Sequence, residues 1–177
     1  ERAQADRGAV QNASNLARSF EEHIVSAIQN VDLTLLYIRD AYARDLELFD
    51  IAIWERNQLF LNTITFQVAI IDANGILVKS NIAGSTPGVD LSDREHFKVH
   101  RDRLTDELFI SKPVMGRVSK KWSIQLTRKV LHADGSFGGV IVVSVDPEYL
   151  TRFYKSIDVG AQGSIALIGL DGIVRAR

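Results

Sequence analysis

The chain has 177 residues, of which 46% are hydrophobic and 24% are charged, a composition typical of a folded protein. Its 21 basic and 22 acidic residues nearly cancel. The basic excess of most nucleic-acid-binding proteins is therefore missing, and no nucleic-acid partner is predicted. The chain contains no cysteine, which excludes disulfides, thiolate zinc sites and cysteine nucleophiles. No apolar run approaches the roughly 18 to 20 residues of a membrane span, so any membrane anchor is expected outside this sequence.

The first third of the chain carries a helical pattern. Apolar residues recur there at alternating steps of three and four, close to the repeat of a coiled-coil seam. This stripe consists of Val10, Ala13, Ala17, Phe20, Ile24, Ala27, Val31, Leu35, Ile38 and Tyr42. A helix from about Val10 to Ala43 would be roughly 50 Å long, longer than a compact domain of this size needs. The helix packs either on its own domain alone or also on a partner chain, as a stalk would. We expect it to contact its own domain along one stretch and a partner chain along another. A second helical segment is predicted from Leu46 to Asn62.

The rest of the chain is rich in β-strand signals. Phe66–Ser80 holds two apolar runs around Asp-Ala-Asn-Gly, which is a hairpin signal, and the loop Asn81–Leu91 follows it. Ser92 is suited to cap a short helix over Asp93–Arg101. Further strands are expected at Leu108–Val114, Trp122–Leu131 and Phe137–Val145. A short helical segment begins at Pro147. Five strands joined by local turns favour an antiparallel sheet, so we predict an α+β fold of PAS-like plan, in which a helix and a loop cross one face of the sheet.

The end of the chain repeats an earlier pattern. Ser164–Ala176 (SIALIGLDGIVRA) resembles residues 66–80 (FQVAIIDANGILVKS), because each has an apolar strand, a turn with Asp and Gly, and a second strand. The chain either enters a second copy of the same domain type here or adds a last hairpin to the first. We predict a helical stalk at residues 1–61, a PAS-like domain at residues 62–158, and the first hairpin of a second module at residues 159–177.

Motifs of enzymatic chemistry are missing from the sequence. It has no G-x-S-x-G, P-loop, G-x-G-x-x-G or H-E-x-x-H signature, so we predict that this region is not an enzyme and holds neither a cofactor nor a metal. The densest polar cluster is residues 93–101. His96 and His100, four positions apart on a helix, share a face as two metal ligands would. An amphipathic helix with Phe97 inward and its charges in water is the preferred interpretation.

Other positions are candidates for a binding pocket. Arg94 follows the loop and offers a planar guanidinium suited to a carboxylate. Asp146 follows the last long strand and either caps the next helix or faces a site, and the local pattern favours the cap. Trp122, Ile124 and Leu126 alternate along one strand, where they either line a pocket or pack in the core.

Four stretches of the sequence resemble a known family. They are DREHFKVHRD (93–102), FISKPVMGRVSKKWSIQLTRKV (109–130), DGSFGGVIVVSVDPEYLTRFYKSIDVG (134–160) and GSIALIGLDGIVRAR (163–177). The most specific part is F-x-G-V-x-V-x-S-x-D-P-x-Y, here Phe137–Tyr149 with one extra glycine. Together with the first helix, these stretches resemble the double-Cache (PDC-type, PAS-like) periplasmic sensor regions of bacterial transmembrane receptors, especially those of sensor histidine kinases and GGDEF diguanylate cyclases.

The resemblance implies a periplasmic region anchored by membrane spans outside this sequence, in a receptor that is homodimeric. A small anionic or zwitterionic ligand would bind between the sheet and residues 81–101 and shift the long helix. In the amino-acid-binding branch of the family, an arginine holds the ligand carboxylate and an aspartate holds its amine, and Arg94 and Asp146 match these positions. His96 and Phe97 stand where that branch has an aromatic pair. We therefore expect a carboxylate-bearing ligand, and the alternative is a ligand-free spacer or protein-docking domain.

Overall fold

The computed structural model describes residues 2–46, 49–51, 65–82, 87–152 and 163–177. Most of the predicted second helical segment, Leu46 to Asn62, lies outside the described residues. The same holds for residues 83–86 of the predicted loop and for residues 153–162, where the boundary between the two predicted modules falls.

A long helix opens the fold. Helix α1 spans Arg2–Arg44, and its 43 residues measure roughly 65 Å at the usual rise per residue. Its apolar stripe is buried from Phe20 onward, whereas Val10 is 70% exposed. The predicted contact of this helix with its own domain is thereby confirmed for its C-terminal half. Contact with a partner chain stays a prediction.

An antiparallel sheet follows the helix. Its strands are β1 (Thr65–Asp72), β2 (Leu77–Ser80), β3 (Phe109–Ile110), β4 (Val114–Met115), β5 (Trp122–Leu131) and β6 (Phe137–Val145). The order is β2–β1–β6–β5–β3, and β4 also pairs with β5. The predicted α+β class is confirmed. The run Leu108–Val114, predicted as one strand, forms β3 and β4 separately, because Pro113 between them has no N–H to donate to a ladder.

The two faces of the sheet differ in chemistry, because successive side chains of a strand point to opposite faces. On one side, the α1 face, apolar side chains pack against helix α1. This group includes Val68, Ile70, Ile124, Leu126, Ile141 and Val143. The opposite side, the cavity face, has an apolar cluster of its own. That cluster includes Ala69, Ile71, Leu77, Phe97, Val140 and Val142.

Two short helices border the sheet. Helix α2 (Glu95–Asp102) covers the cavity face and buries Phe97 there. It begins two residues later than predicted, so Arg94 rather than Ser92 is its N-cap residue, and no side chain caps it. Helix α3 (Pro147–Arg152) follows β6 directly.

A separate hairpin ends the described chain. It consists of β7 (Leu167–Ile168) and β8 (Val174–Ala176), which pair with each other and, among the described residues, with no strand of the larger sheet. Ala176 is buried and packs with Leu167 against the cluster on the α1 face. Assignment of this hairpin to a second module stays a prediction. Of the helices within these described ranges, none is long and apolar enough to cross a membrane.

Candidate functional site

A small cavity lies on the cavity face, at the N-terminal end of α2. Its volume is about 40 Å³, which is room for only a few water molecules. Strands β1, β5 and β6 form its floor through Gln67, Gln125 and Ser144, and Arg94 and His96 line it from the start of α2. Strand β4 and the beginning of the turn after it, together called the turn 114–118, enclose the remaining side.

The polar side chains of the cavity floor are hydrogen-bonded within the protein, and the apolar Ala69, Ile71 and Val142 line the cavity beside them. Ser144 Oγ donates to Gln125 Oε1 over 2.8 Å, and Gln125 Nε2 donates to Ser123 Oγ over 2.7 Å. Gln67 Nε2 donates to Ser80 Oγ over 3.3 Å. The two glutamines and Ser144 are at most 6% exposed. Buried polar groups are costly unless they are bonded, so this network holds the floor in one arrangement.

Sequence reasoning missed these floor residues. A usable signal was present for two of them, because Gln67 and Ser144 each interrupt a largely apolar strand, whereas Gln125 stands among several other polar residues of β5. A buried polar residue is more informative than an exposed apolar one. Only the pairing of the three strands shows that these interruptions meet at one place.

Arg94 stands at the entrance of the cavity. It is half-buried, and its Nη2 donates to the backbone oxygen of Met115 over 3.1 Å. This bond ties the start of α2 to the turn 114–118. A carboxylate is a stronger acceptor for a guanidinium than a neutral carbonyl, so an anionic ligand would compete well with Met115 for Arg94.

A second arginine fixes the rim. Arg117, which also lines the cavity, binds both carboxylate oxygens of Asp93 at 2.6 and 2.7 Å and donates to the backbone oxygen of Asp90. The hydrogen bond from Arg117 lowers the pKa of Asp93. The sequence pattern had suggested no role for Arg117. The pair stabilises the loop over the cavity and leaves Asp93 already occupied.

The two histidines of α2 are both buried and have different surroundings. His96 lines the cavity, while His100 lies deeper, with its Nε2 2.8 Å from Thr127 Oγ1. Burial lowers the pKa of each to about 4, and the positive charge of Arg94 adds to the effect at His96. Both rings are therefore neutral at neutral pH. In the described part of the chain, no cluster of three or more His, Cys, Asp or Glu side chains is placed to hold a metal.

These histidines make the stability depend on pH. The unfolded chain binds protons with a histidine pKa near 6.5, whereas the folded chain resists protonation down to about 4. The two histidines therefore cost no stability above pH 6.5. As the pH drops toward 4, the free energy of unfolding falls by roughly 2 to 3 kcal/mol for each histidine.

Urea unfolding between pH 4.5 and 7 measures this dependence of stability on pH. The variant His132→Gln, at an exposed position, should keep it, and His96→Gln/His100→Gln should flatten it. An unchanged slope in the double variant would contradict the assignment.

Six residues were predicted to bind the ligand, and two of them, Arg94 and His96, line the cavity. The other four lie away from it: Phe97, Trp122, Ile124 and Asp146. Phe97 is 1% exposed and packs edge-on against Phe137, 5.8 Å between ring centroids. Ile124 is 2% exposed on the α1 face, because the register of β5 turns Gln125 to the cavity instead. Trp122 begins β5 and is 60% exposed.

Asp146 acts as a helix cap. Its Oδ1 accepts the backbone N–H of Glu148 over 2.9 Å, and its Oδ2 lies 3.7 Å from Nη2 of Arg152. Both partners belong to α3, as the local pattern favoured. The polar residue of β6 that does line the cavity is Ser144, two positions earlier.

Comparisons with known proteins agree with this fold. No family model and no curated protein sequence matches the chain. The extracellular domain of rpHK1S-Z16, a protein described as a histidine kinase, is 32% identical with a TM-score of 0.81, over 90% of this chain and 66% of that one. This chain thus spans just under two thirds of that domain.

Two chemoreceptor domains share the fold at lower identity. The ligand-binding domain of Pseudomonas fluorescens CtaA, in complex with L-alanine, is 16% identical with a TM-score of 0.72, over 94% of this chain and 71% of that one. That of Pseudomonas aeruginosa PctC, in complex with GABA, is 19% identical with a TM-score of 0.70, over 94% and 74%. One of these three neighbours is described as an extracellular domain and the other two as ligand-binding domains. The chain therefore shares its fold with the extracellular domain of a protein described as a histidine kinase and with ligand-binding domains of bacterial chemoreceptors, in agreement with its predicted resemblance to Cache (PDC-type, PAS-like) sensor regions.

Proposed function

We propose that this chain is the ligand-sensing region of a bacterial signal-transduction receptor, a histidine kinase or a diguanylate cyclase, and that it binds a small carboxylate-bearing metabolite. The observation that carries the proposal is the charge of the cavity. Arg94 and Arg117 line it, and its described lining residues include no carboxylate. Since Asp93 neutralises Arg117, the guanidinium of Arg94 is the charge that an anion would meet.

The size of the cavity supports a role in signalling. A volume of about 40 Å³ is too small for most metabolites, so binding requires α2 and the turn 114–118 to separate. The bond between Arg94 and Met115 holds them together, along with the pair between Arg117 and Asp93. Exchange of this bond for a ligand carboxylate would therefore move α2 relative to the sheet.

Strand β5 offers a route from that movement to helix α1. Thr127 contacts His100 of α2 on the cavity face. The next residue, Arg128, binds Asp32 of α1 through two bonds of 2.7 Å on the opposite face. A shift of α2 therefore acts on a strand that is bonded to the long helix, which supports signalling through α1 as a two-state element.

The wider receptor follows from the same proposal. Residues 1–61 would form the stalk, residues 62–158 the membrane-distal sensor domain and residues 159–177 the start of a second module. An apolar groove of about 880 Å³ between the N-terminal half of α1 and β7 supports a second module, which would cover it. Membrane anchoring and a homodimer held through the stalk belong to the proposal as well.

The proposal predicts that Arg94→Ala weakens carboxylate binding. A thermal-shift screen would cover amino acids, di- and tricarboxylates, polyamines and divalent metals. A ligand at about 100 times its Kd adds roughly 2.7 kcal/mol, or about 5 to 10 °C for a chain of this size. Arg94→Ala should weaken binding about 10- to 100-fold, since one charged hydrogen-bond partner is lost. Arg101→Ala, on the same helix but paired with Asp102 at the surface, is the matched control.

One observation favours a second candidate, a ligand-free spacer or protein-docking domain. The cavity is small, and Arg94 already has an acceptor in Met115. If no compound shifts the melting temperature of the well-folded wild type, the sensing proposal fails and the spacer is favoured. A carboxylate whose effect survives in Arg94→Ala would contradict the assigned anchor.

A further inference from the structure

The residues of the cavity floor determine which carboxylate fits. This inference rests on the proposed function, the binding of a carboxylate at this site. We propose that the site selects a small hydroxycarboxylate and discriminates against the α-amino acid of the same carbon skeleton. An α-amino acid brings a buried ammonium group, which is stable only beside a carboxylate or several strong acceptors. Gln67, Gln125 and Ser144 are all neutral, so the floor supplies no charge to balance an ammonium.

The carboxylates that stand close in sequence to the lining residues are already engaged. Asp72 accepts two backbone N–H groups, and Glu95 lies 3.6 Å from Lys112. Asp93 holds Arg117 through both of its oxygens. Asp90 accepts the backbone N–H of Ser92 over 2.9 Å. Asp146 accepts a backbone N–H of α3 and lies close to Arg152. In addition, the positive charge of Arg94 repels a second cation in a space of this size.

The hydrogen-bond directions in the floor suit a hydroxyl group. Ser144 uses its proton on Gln125 Oε1, which leaves its oxygen lone pairs as acceptors. Gln125 is fixed in orientation by Ser123 on its nitrogen side. Gln67 donates through its nitrogen, so its amide oxygen is its acceptor group. Each glutamine amide also keeps a second N–H donor. A ligand hydroxyl both donates and accepts one hydrogen bond and needs no counter-charge, so these neutral groups satisfy it.

Matched sets of small acids test this inference. Each set holds the carbon skeleton constant and varies one group: glycolate, glycine and acetate; L-lactate, L-alanine and propionate; L-malate, L-aspartate and succinate. Binding to the wild type and to Arg94→Ala would be measured by calorimetry. We expect at least one hydroxy acid to bind at least roughly 100-fold more tightly than both of its counterparts and to lose binding in Arg94→Ala.

The outcomes separate this inference from the proposed function. Arg94-dependent binding of an amino acid, or of an unsubstituted acid, as tight as that of the hydroxy acid would overturn the inference and leave the sensor proposal standing. Failure of every carboxylate to bind would overturn both. In Ser144→Asp, a carboxylate enters the floor, and preference should move toward the amino acid. Because Ser144 is 1% exposed, circular dichroism must first show that this variant folds, and the wild-type comparison decides the matter without it.

Discussion

Replacement of Gly139 by alanine is expected to lower the free energy of unfolding by about 3 kcal/mol or more. Gly139 has a φ of +128°, which side chains rarely tolerate. An added Cβ would lie 2.1 Å from the backbone oxygen of Ile71. That atom belongs to β1, which pairs with β6 at the centre of the sheet, so neither strand is free to retreat. Chemical denaturation of the variant measures the loss.

The neighbouring glycine provides the control. A Cβ on Gly138 would lie 3.2 Å from the ring of His132, an exposed side chain that is free to move aside. Gly138→Ala should therefore change stability by less than about 1 kcal/mol. If the two variants lose the same free energy of unfolding, the close approach of Gly139 to β1 does not explain the effect. Replacement of any glycine in β6 would then be the cause.

Replacement of Arg128 by methionine is expected to lower stability by about 2 to 3 kcal/mol. Arg128 and Asp32 join β5 to α1 across 96 residues of sequence, and their side chains are only 14% and 22% exposed. Loss of the guanidinium would leave the Asp32 carboxylate largely buried and without its main partner. Methionine preserves the apolar stem of the side chain, so the change isolates the charge. Urea unfolding measures the effect.

A double variant tests whether the unpaired charge of Asp32 causes this loss of stability. Asp32→Ala/Arg128→Met removes both charges, so it should be more stable than Arg128→Met alone. Arg101→Met breaks the exposed pair with Asp102 and should cost less than about 1 kcal/mol. If Arg128→Met costs no more than Arg101→Met, the pair does not hold α1 on the sheet.

The elements of this fold follow from local patterns in the sequence. The stripe of α1 was readable because a helix repeats its buried face every three to four residues. The turn at Asp72–Gly75 was readable because its backbone requires a residue such as glycine, here with φ of +86°. Strands β5 and β6 were predicted with the bounds that the structure shows. Their apolar runs and flanking turns lie within one stretch of chain.

Long-range pairing could not be read in the same way. β1 lies beside β6, and Asp32 meets Arg128, because the sheet brings distant segments together. Ile124 was assigned to the pocket, yet it faces α1. A shift of one residue in strand register exchanges the two faces, and no local signal specifies that choice in a strand buried on both sides.

From its sequence alone, this protein could be assigned its α+β class, its long helix, its antiparallel sheet and the family that it resembles, because each depends on periodicity, turn chemistry or short motifs. Arg94 and His96 were also named as candidates, and both line the cavity. Only the tertiary structure placed Gln67, Gln125 and Ser144 together beneath Arg94 and assigned Asp146 to a helix cap. The cavity is formed by strands from distant parts of the chain, so its chemistry depends on which strands pair and on which side chains face the cavity.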